Sequence, residues 1–174
     1  MRSKNNTHFF FIVVLFVFCF TTTSLYGQKQ AILKTTGLGG IFSYGKDIEK
    51  ERIGTVYVYP ETDSTILFFI DVSRGAPSYN MGNLYGRLKV KSGAGIFKKD
   101  IIGVEKICSL QFNFKNNILE ISTIDYNDNC GFGYGVIADG TYKRRSRKIP
   151  DYFISMTGEK HYFKKTDPDK WEGD

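Results

Sequence analysis

Several groups of residues in this 174-residue chain have types and spacings that could do chemistry. Arg74-Gly-Ala-Pro-Ser-Tyr-Asn80 collects a guanidinium (Arg74), a phenol (Tyr79) and an amide (Asn80) around Pro77, which restrains the segment. A restrained loop of this kind suits recognition of an anionic or polar partner group, because preordering lowers the entropy cost of binding. The structural alternative is a turn in which Arg74 pairs with a nearby acid such as Asp71. Lys143-Arg-Arg-Ser-Arg-Lys148 places Arg144, Arg145 and Arg147 in a dense cationic run, suited to an anionic surface or else to a solvated strand end and linker.

Other groups point away from catalysis. Cys130-Gly-Phe-Gly-Tyr-Gly135 has the glycine content of a phosphate loop but lacks the following Lys and Ser/Thr, and no helix follows it. Close backbone packing explains it better, with Phe132 and Tyr134 plugging the core or lining a cavity. His161 sits between Lys160 and Tyr162 with no acid-and-nucleophile arrangement beside it. No catalytic residue, metal ligand set or cofactor motif is therefore assigned. Asp125, Asp128 and Asp139 leave a carboxylate pair for hydrolysis as an alternative.

The positioning elements begin with an export segment. Arg2 and Lys4 precede the uninterrupted apolar run from Phe9 to Phe20, which is followed at once by Thr21, Thr22, Thr23 and Ser24. The run is shorter than the roughly 20 residues of a membrane-spanning helix, so residues 1–27 read as a cleavable signal peptide ending at Gly27. Cys19 is then filler of the signal core. Removing residues 1–27 takes away Arg2, Lys4 and no acid, so 24 basic residues become 22 against 18 acidic and the net charge falls from +6 to +4. A mildly basic exported protein is not expected to bind nucleic acid. In an oxidising compartment Cys108 and Cys130 have only each other, which predicts one disulfide.

Period-two alternation dominates the remainder. In Cys108-Ser-Leu-Gln-Phe-Asn-Phe-Lys115 the apolar residues face one way, Asn116-Asn117 suits a tight turn, and Ile118 to Thr123 returns. A two-residue turn puts Leu119 opposite Phe114 and Ile121 opposite Phe112. Further strands are expected at Gly54–Tyr59, with Tyr57 and Tyr59 outward; at the nearly all-apolar Ser64–Val72; at Leu84–Val90, with Gly86 at a bend or bulge; at Gly95–Lys98; and at Tyr134–Lys143. A terminal hairpin is expected around Thr157-Gly158, followed by a turn at Pro168 that packs Trp171 back on the body. Residues 28–52 carry too many glycines for a long helix and leave at most one turn at Asp47–Arg52. The fold class is all-β: a small antiparallel up-and-down barrel of about eight strands in a single domain, 28–174, with a β-sandwich as the alternative.

Cys108-x-Leu-x-Phe-x-Phe, Leu119-Glu-Ile, Cys130-Gly-Phe-Gly-x-Gly-Val136 and Ala138-Asp-Gly-Thr-Tyr142 together resemble a class of small exported bacterial β-domains, some of which occur beside lysozyme-inhibitor-like modules. The resemblance spans mainly residues 53–143 and rests on structural residues, so it transfers no active site. Where that class suggests Asn-Gly-His-Thr-Gly, this chain has Ser78-Tyr-Asn-Met-Gly82.

The expected function is a periplasmic or secreted binding module without enzymatic activity, such as an inhibitor of an envelope-directed enzyme. Arg74, Tyr79 and Asn80 are its partner-binding residues, and Arg144, Arg145 and Arg147 a secondary anion-binding group. The expected partner is an envelope or extracellular protein, with an anionic glycan surface or peripheral membrane contact besides. The alternatives are a small-ligand-binding barrel, a carboxylate-dependent hydrolase and a structural envelope protein.

Overall fold

The computed structural model describes residues 34–100, 107–124 and 130–171, so the apolar run 9–20, Cys19, the cleavage point after Gly27, Asp125 and Asp128 lie outside the described residues. The alternating segments form eight antiparallel strands: β1 (Gly40–Tyr44), β2 (Ile53–Pro60), β3 (Thr65–Ser73), β4 (Met81–Lys89), β5 (Ala94–Lys99), β6 (Cys108–Lys115), β7 (Ile118–Thr123) and β8 (Gly140–Ser146). Their order in the sheet is β4-β3-β2-β1-β8-β7-β6-β5. Strands adjacent in sequence are thus paired in the sheet apart from β4 and β5, β1 closes on β8, and among the described residues the β4/β5 seam has no ladder hydrogen bonds. This is the up-and-down barrel the alternation predicts, nearly closed, rather than a two-layer sandwich.

The β6–β7 hairpin has the expected register, with Phe112 opposite Ile121 and Phe114 opposite Leu119. Asn116 supplies the positive φ of its two-residue turn, at 56°. Inward residues fill the barrel. Phe68 lies 4.7 Å from Phe112 and 5.0 Å from Phe97 between ring centroids, and Phe42 lies 6.0 Å from Phe114. Gly86 makes no bulge, because β3 and β4 stay in unbroken register there. Its missing side chain instead makes room for the rings of Phe97 and Phe68, which a Cβ would meet at 2.5 and 2.7 Å.

The apolar run of β3 is explained by burial on both faces. Ile66, Phe68, Ile70 and Val72 point into the barrel, while Leu67 and Phe69 join an outer cluster with Tyr85, Phe153 and Phe163. That cluster is roofed by the terminal hairpin β9 (Tyr152–Ile154) and β10 (Lys160–Tyr162). Phe69 stacks on Phe153 at 4.0 Å, and Tyr59 on Phe163 at 5.4 Å. Tyr57 and Tyr59 do face outward as expected, but under this cover they pack as a second small core. Trp171 returns to the same cluster, edge-on to Phe69, Tyr85 and Phe153.

The chain after β10 also straps the barrel's two unpaired edges, which otherwise present open backbone groups. From β4, the Tyr85 hydroxyl donates to the Thr166 carbonyl at 3.0 Å and Arg87 reaches Asp169 at 2.6 Å. From β5, Lys99 Nζ donates to the carbonyls of Pro168 and Trp171 at 3.2 and 2.9 Å.

Candidate functional site

Strand alternation sends the connections after β1, β3 and β7 to one end of the barrel. The disulfide sits at this end. Cys108 starts β6, and its bond to Cys130, with Cα atoms 4.5 Å apart, pins the β7–β8 connection to the barrel rim. Gly131 and Gly135 then carry φ of 77° and 71°, values that favour glycine, so the chain can turn sharply across the mouth. Phe132 folds inward against the core, over Gly82, where any side chain would collide with its ring at 2.4 Å.

This path brings together two segments that compete in the sequence. The Asn80 amide Nδ2 donates to the Tyr134 carbonyl at 2.7 Å, and the Gly133 N–H donates to the Met81 carbonyl at 3.0 Å. The Arg74 guanidinium packs over Gly135, with Nη1 2.8 Å from where a Cβ would stand. On the other flank, the Ala76 N–H donates to the Ile48 carbonyl at 2.9 Å, and the Tyr79 hydroxyl donates to Glu49. That donation, with some burial, raises the phenol's pKa above its ordinary value. Arg52 completes the lacing, reaching the Ile137 and Asp139 carbonyls at 3.1 and 3.4 Å.

The outward surface of this rim carries exposed aromatic and apolar side chains beside a cation, with Glu49 on its flank. Tyr134 is 87% exposed, Tyr79 43% and Met81 39%, and Arg74 is exposed beside them. Tyr134 therefore does not plug the core or line a cavity, contrary to the expectation for the glycine-rich segment; its neighbour Phe132 has the inward position. Among the described residues Arg74 pairs with no acid, so the Asp71 partnership does not form. Asp71 is partly buried on β3 opposite Asn83, and burial raises its pKa.

The remaining candidates lie elsewhere. The strand expected over Tyr134–Lys143 runs from Gly140 to Ser146 instead, because Arg52 and the Asp139 carboxylate hold the preceding loop. Asp139 accepts from the Thr123 N–H at 3.0 Å and from its hydroxyl at 2.5 Å, which ties it to the end of β7. Val136, Ala138 and Tyr142 are buried. His161 stacks on Phe153 at 5.2 Å, and its Nε2 lies 3.8 Å from the exposed Glu159 carboxylate.

The cationic run is at the opposite end of the barrel from Arg74 and Tyr79, at the finish of β8 beside the Asn116-Asn117 turn. Lys143 to Ser146 finish the strand, and Arg147 and Lys148 follow it as exposed chain. Arg144 lies over the Phe42 ring at 4.4 Å and donates to the carbonyls of Gly37, Leu38 and Gly39, closing this end. Arg145 and Arg147 are exposed.

No protein-family model matches the chain, and comparisons with curated proteins and with solved structures return no match. The site must be read from its own geometry. Arg52, Met81 and Tyr134 are the members of the rim that sequence reasoning did not place there. The only signal for Tyr134 was its position between two glycines.

Proposed function

We propose that this protein is a non-enzymatic binding module of an oxidising compartment, periplasmic or secreted after loss of residues 1–27, and that its disulfide-pinned rim grips another protein. The carrying observation is the exposed set Arg74, Tyr79, Met81 and Tyr134 on two loops and the start of β4, laced to one another by backbone and amide hydrogen bonds. Tyr, Arg and Met are the residue types enriched where proteins meet, and rigid aromatic anchors lose little entropy on binding. A protruding, preordered loop on a filled barrel suits an inhibitor of an envelope-directed enzyme, in line with the resemblance to exported β-domains. The positive net charge favours an acidic or neutral target over a basic lysozyme. Packed rings inside the barrel favour this reading over a small-ligand barrel.

The test is native capture from envelope extract with wild type and with a Tyr79→Ala/Tyr134→Ala pair. A partner retained by wild type and lost by the folded variant is the expected result. A partner captured equally by both, or no partner at all, would overturn the assignment of the rim.

A further inference from the structure

Four consecutive residues, Arg144, Arg145, Ser146 and Arg147, line one surface depression of about 180 Å³ together with Asn117. A regular strand cannot do this, because successive side chains point to opposite faces. The register between β1 and β8 shows how it happens. Ile41 pairs with Ser146 and Phe42 with Arg144, so Arg145 is an extra residue forming a β-bulge. Bulges re-aim side chains and recur beside functional sites. Gly40 permits the close approach of β1 here: its φ is 133°, and a Cβ would stand 2.2 Å from the Ser146 carbonyl oxygen.

The arginines are held in place without being neutralised. Arg145 Nε donates to the Ser43 hydroxyl at 2.9 Å, Arg147 Nη2 to the Asn117 side-chain oxygen at 2.9 Å, and Arg144 to three backbone carbonyls. Among the described residues no carboxylate pairs with any of the three. Neutral acceptors fix the geometry and leave the charge uncompensated, and burial together with the nearby Arg147 lowers the pKa of Arg144. An arrangement that assembles repelling cations and orders flexible side chains is unfavourable alone, and a multiply charged anion offsets both costs.

We propose that this depression is a phosphate-binding site in which Arg145 and Arg147 contact the phosphoryl oxygens and Arg144 is a positioning residue. The planar guanidinium fork matches phosphate oxygens. The depression has the volume of several waters, enough for one phosphate group. Asn117 lines the same depression and accepts from Arg147 through its side-chain oxygen, which fixes that guanidinium at the rim of the site. The site is at the opposite barrel end from the proposed protein-binding rim and stands independently of it.

Inorganic pyrophosphate is the probe, titrated into the full folded domain and followed by amide chemical shifts and by calorimetry. Shifts should concentrate at residue 117 and residues 143–147, and Arg145→Gln/Arg147→Gln should weaken binding by about ten-fold or more. A control pair, Lys164→Gln/Lys165→Gln, removes the same charge elsewhere and should bind like wild type. Cosedimentation with phosphatidylcholine vesicles, with and without phosphatidic acid, separates the sources of the phosphate. Arginine-dependent binding to the acidic vesicles assigns a lipid headgroup, and arginine-dependent binding to pyrophosphate alone assigns a soluble or glycan-borne phosphate. No binding to either, equal weakening in the lysine pair, or shifts scattered over the surface would overturn the proposal.

Discussion

The Asn80 side-chain amide donates to the Tyr134 backbone carbonyl across 54 residues of sequence. This bond merges the Arg74–Asn80 loop and the Cys130–Gly135 segment into one rim, so recognition and glycine-permitted packing belong to the same structure. Asn80→Ala should therefore loosen the glycine-rich segment while sparing the barrel. The lost bond is worth about 0.5–1.5 kcal/mol at most, and amide exchange should accelerate at Gly133 and Val136 but not in the β6–β7 hairpin. Unchanged exchange at both amides would mean that the segment is held by Phe132, the disulfide and the Gly133–Met81 hydrogen bond without Asn80.

The disulfide should matter more. Joining Cys108 to Cys130 closes a loop with a sequence separation of 22 residues, worth roughly 3 kcal/mol in the chain-entropy model. A Cys108→Ser/Cys130→Ser variant should unfold at lower denaturant concentration and lose the ordered rim first. Denaturant midpoints for wild type and variant test this. Equal midpoints would show that packing of Phe132 and Val136 suffices to hold the connection.

The three arginines of β8 should separate in their effects. Arg144 covers Phe42 and donates to the carbonyls of Gly37, Leu38 and Gly39, so Arg144→Gln should destabilise the fold by roughly 2 kcal/mol. Arg145→Gln and Arg147→Gln, on exposed side chains, should each fall within about 0.5 kcal/mol of wild type. Thermal melts of the single variants test the division. A neutral Arg144→Gln would place Arg144 with the exposed pair.

The sequence revealed most where local signals agree. The β6–β7 register follows from alternation and the Asn116-Asn117 turn together, and both are contained within sixteen residues, 108–123. It was silent where distant contacts decide. β1 is five residues with a glycine at its head, too short to show a period, and it is stabilised by β2 and β8 on either side. The loop before β8 is held by Arg52, 85 residues away from Ile137, and no local pattern marks it. Tyr57 and Tyr59 alternate like a wet face and are covered only by a hairpin nearly 100 residues later. The bulge at Arg145 leaves no trace in residue types, so nothing in the cationic run showed that neighbouring arginines would share one depression.

Stability should also carry the mark of Asp71. Its carboxyl lies on the outer face of β3 between Thr55 and Asn83, with no cation paired to it among the described residues, and burial raises its pKa above the usual carboxylate value. The buried Asn83 Nδ2 beside it has no hydrogen-bond partner among the described residues. Below the unfolded-state pKa, near pH 4, Asp71 is protonated folded and unfolded alike and contributes nothing to pH dependence. As pH rises through the raised folded-state value, ionisation becomes more costly in the folded protein than in the unfolded chain, and stability is lost. Above that value the loss is complete and constant. Asp71→Asn removes the charge and keeps the shape, so it should raise the melting midpoint at neutral pH and leave it unchanged at about pH 3, where both side chains are neutral. Melting midpoints of the two proteins across this range test the sign. A variant less stable than wild type at neutral pH would show that the ionised carboxylate is stabilised in place, which would make Asn83 its donor rather than an unpartnered neighbour.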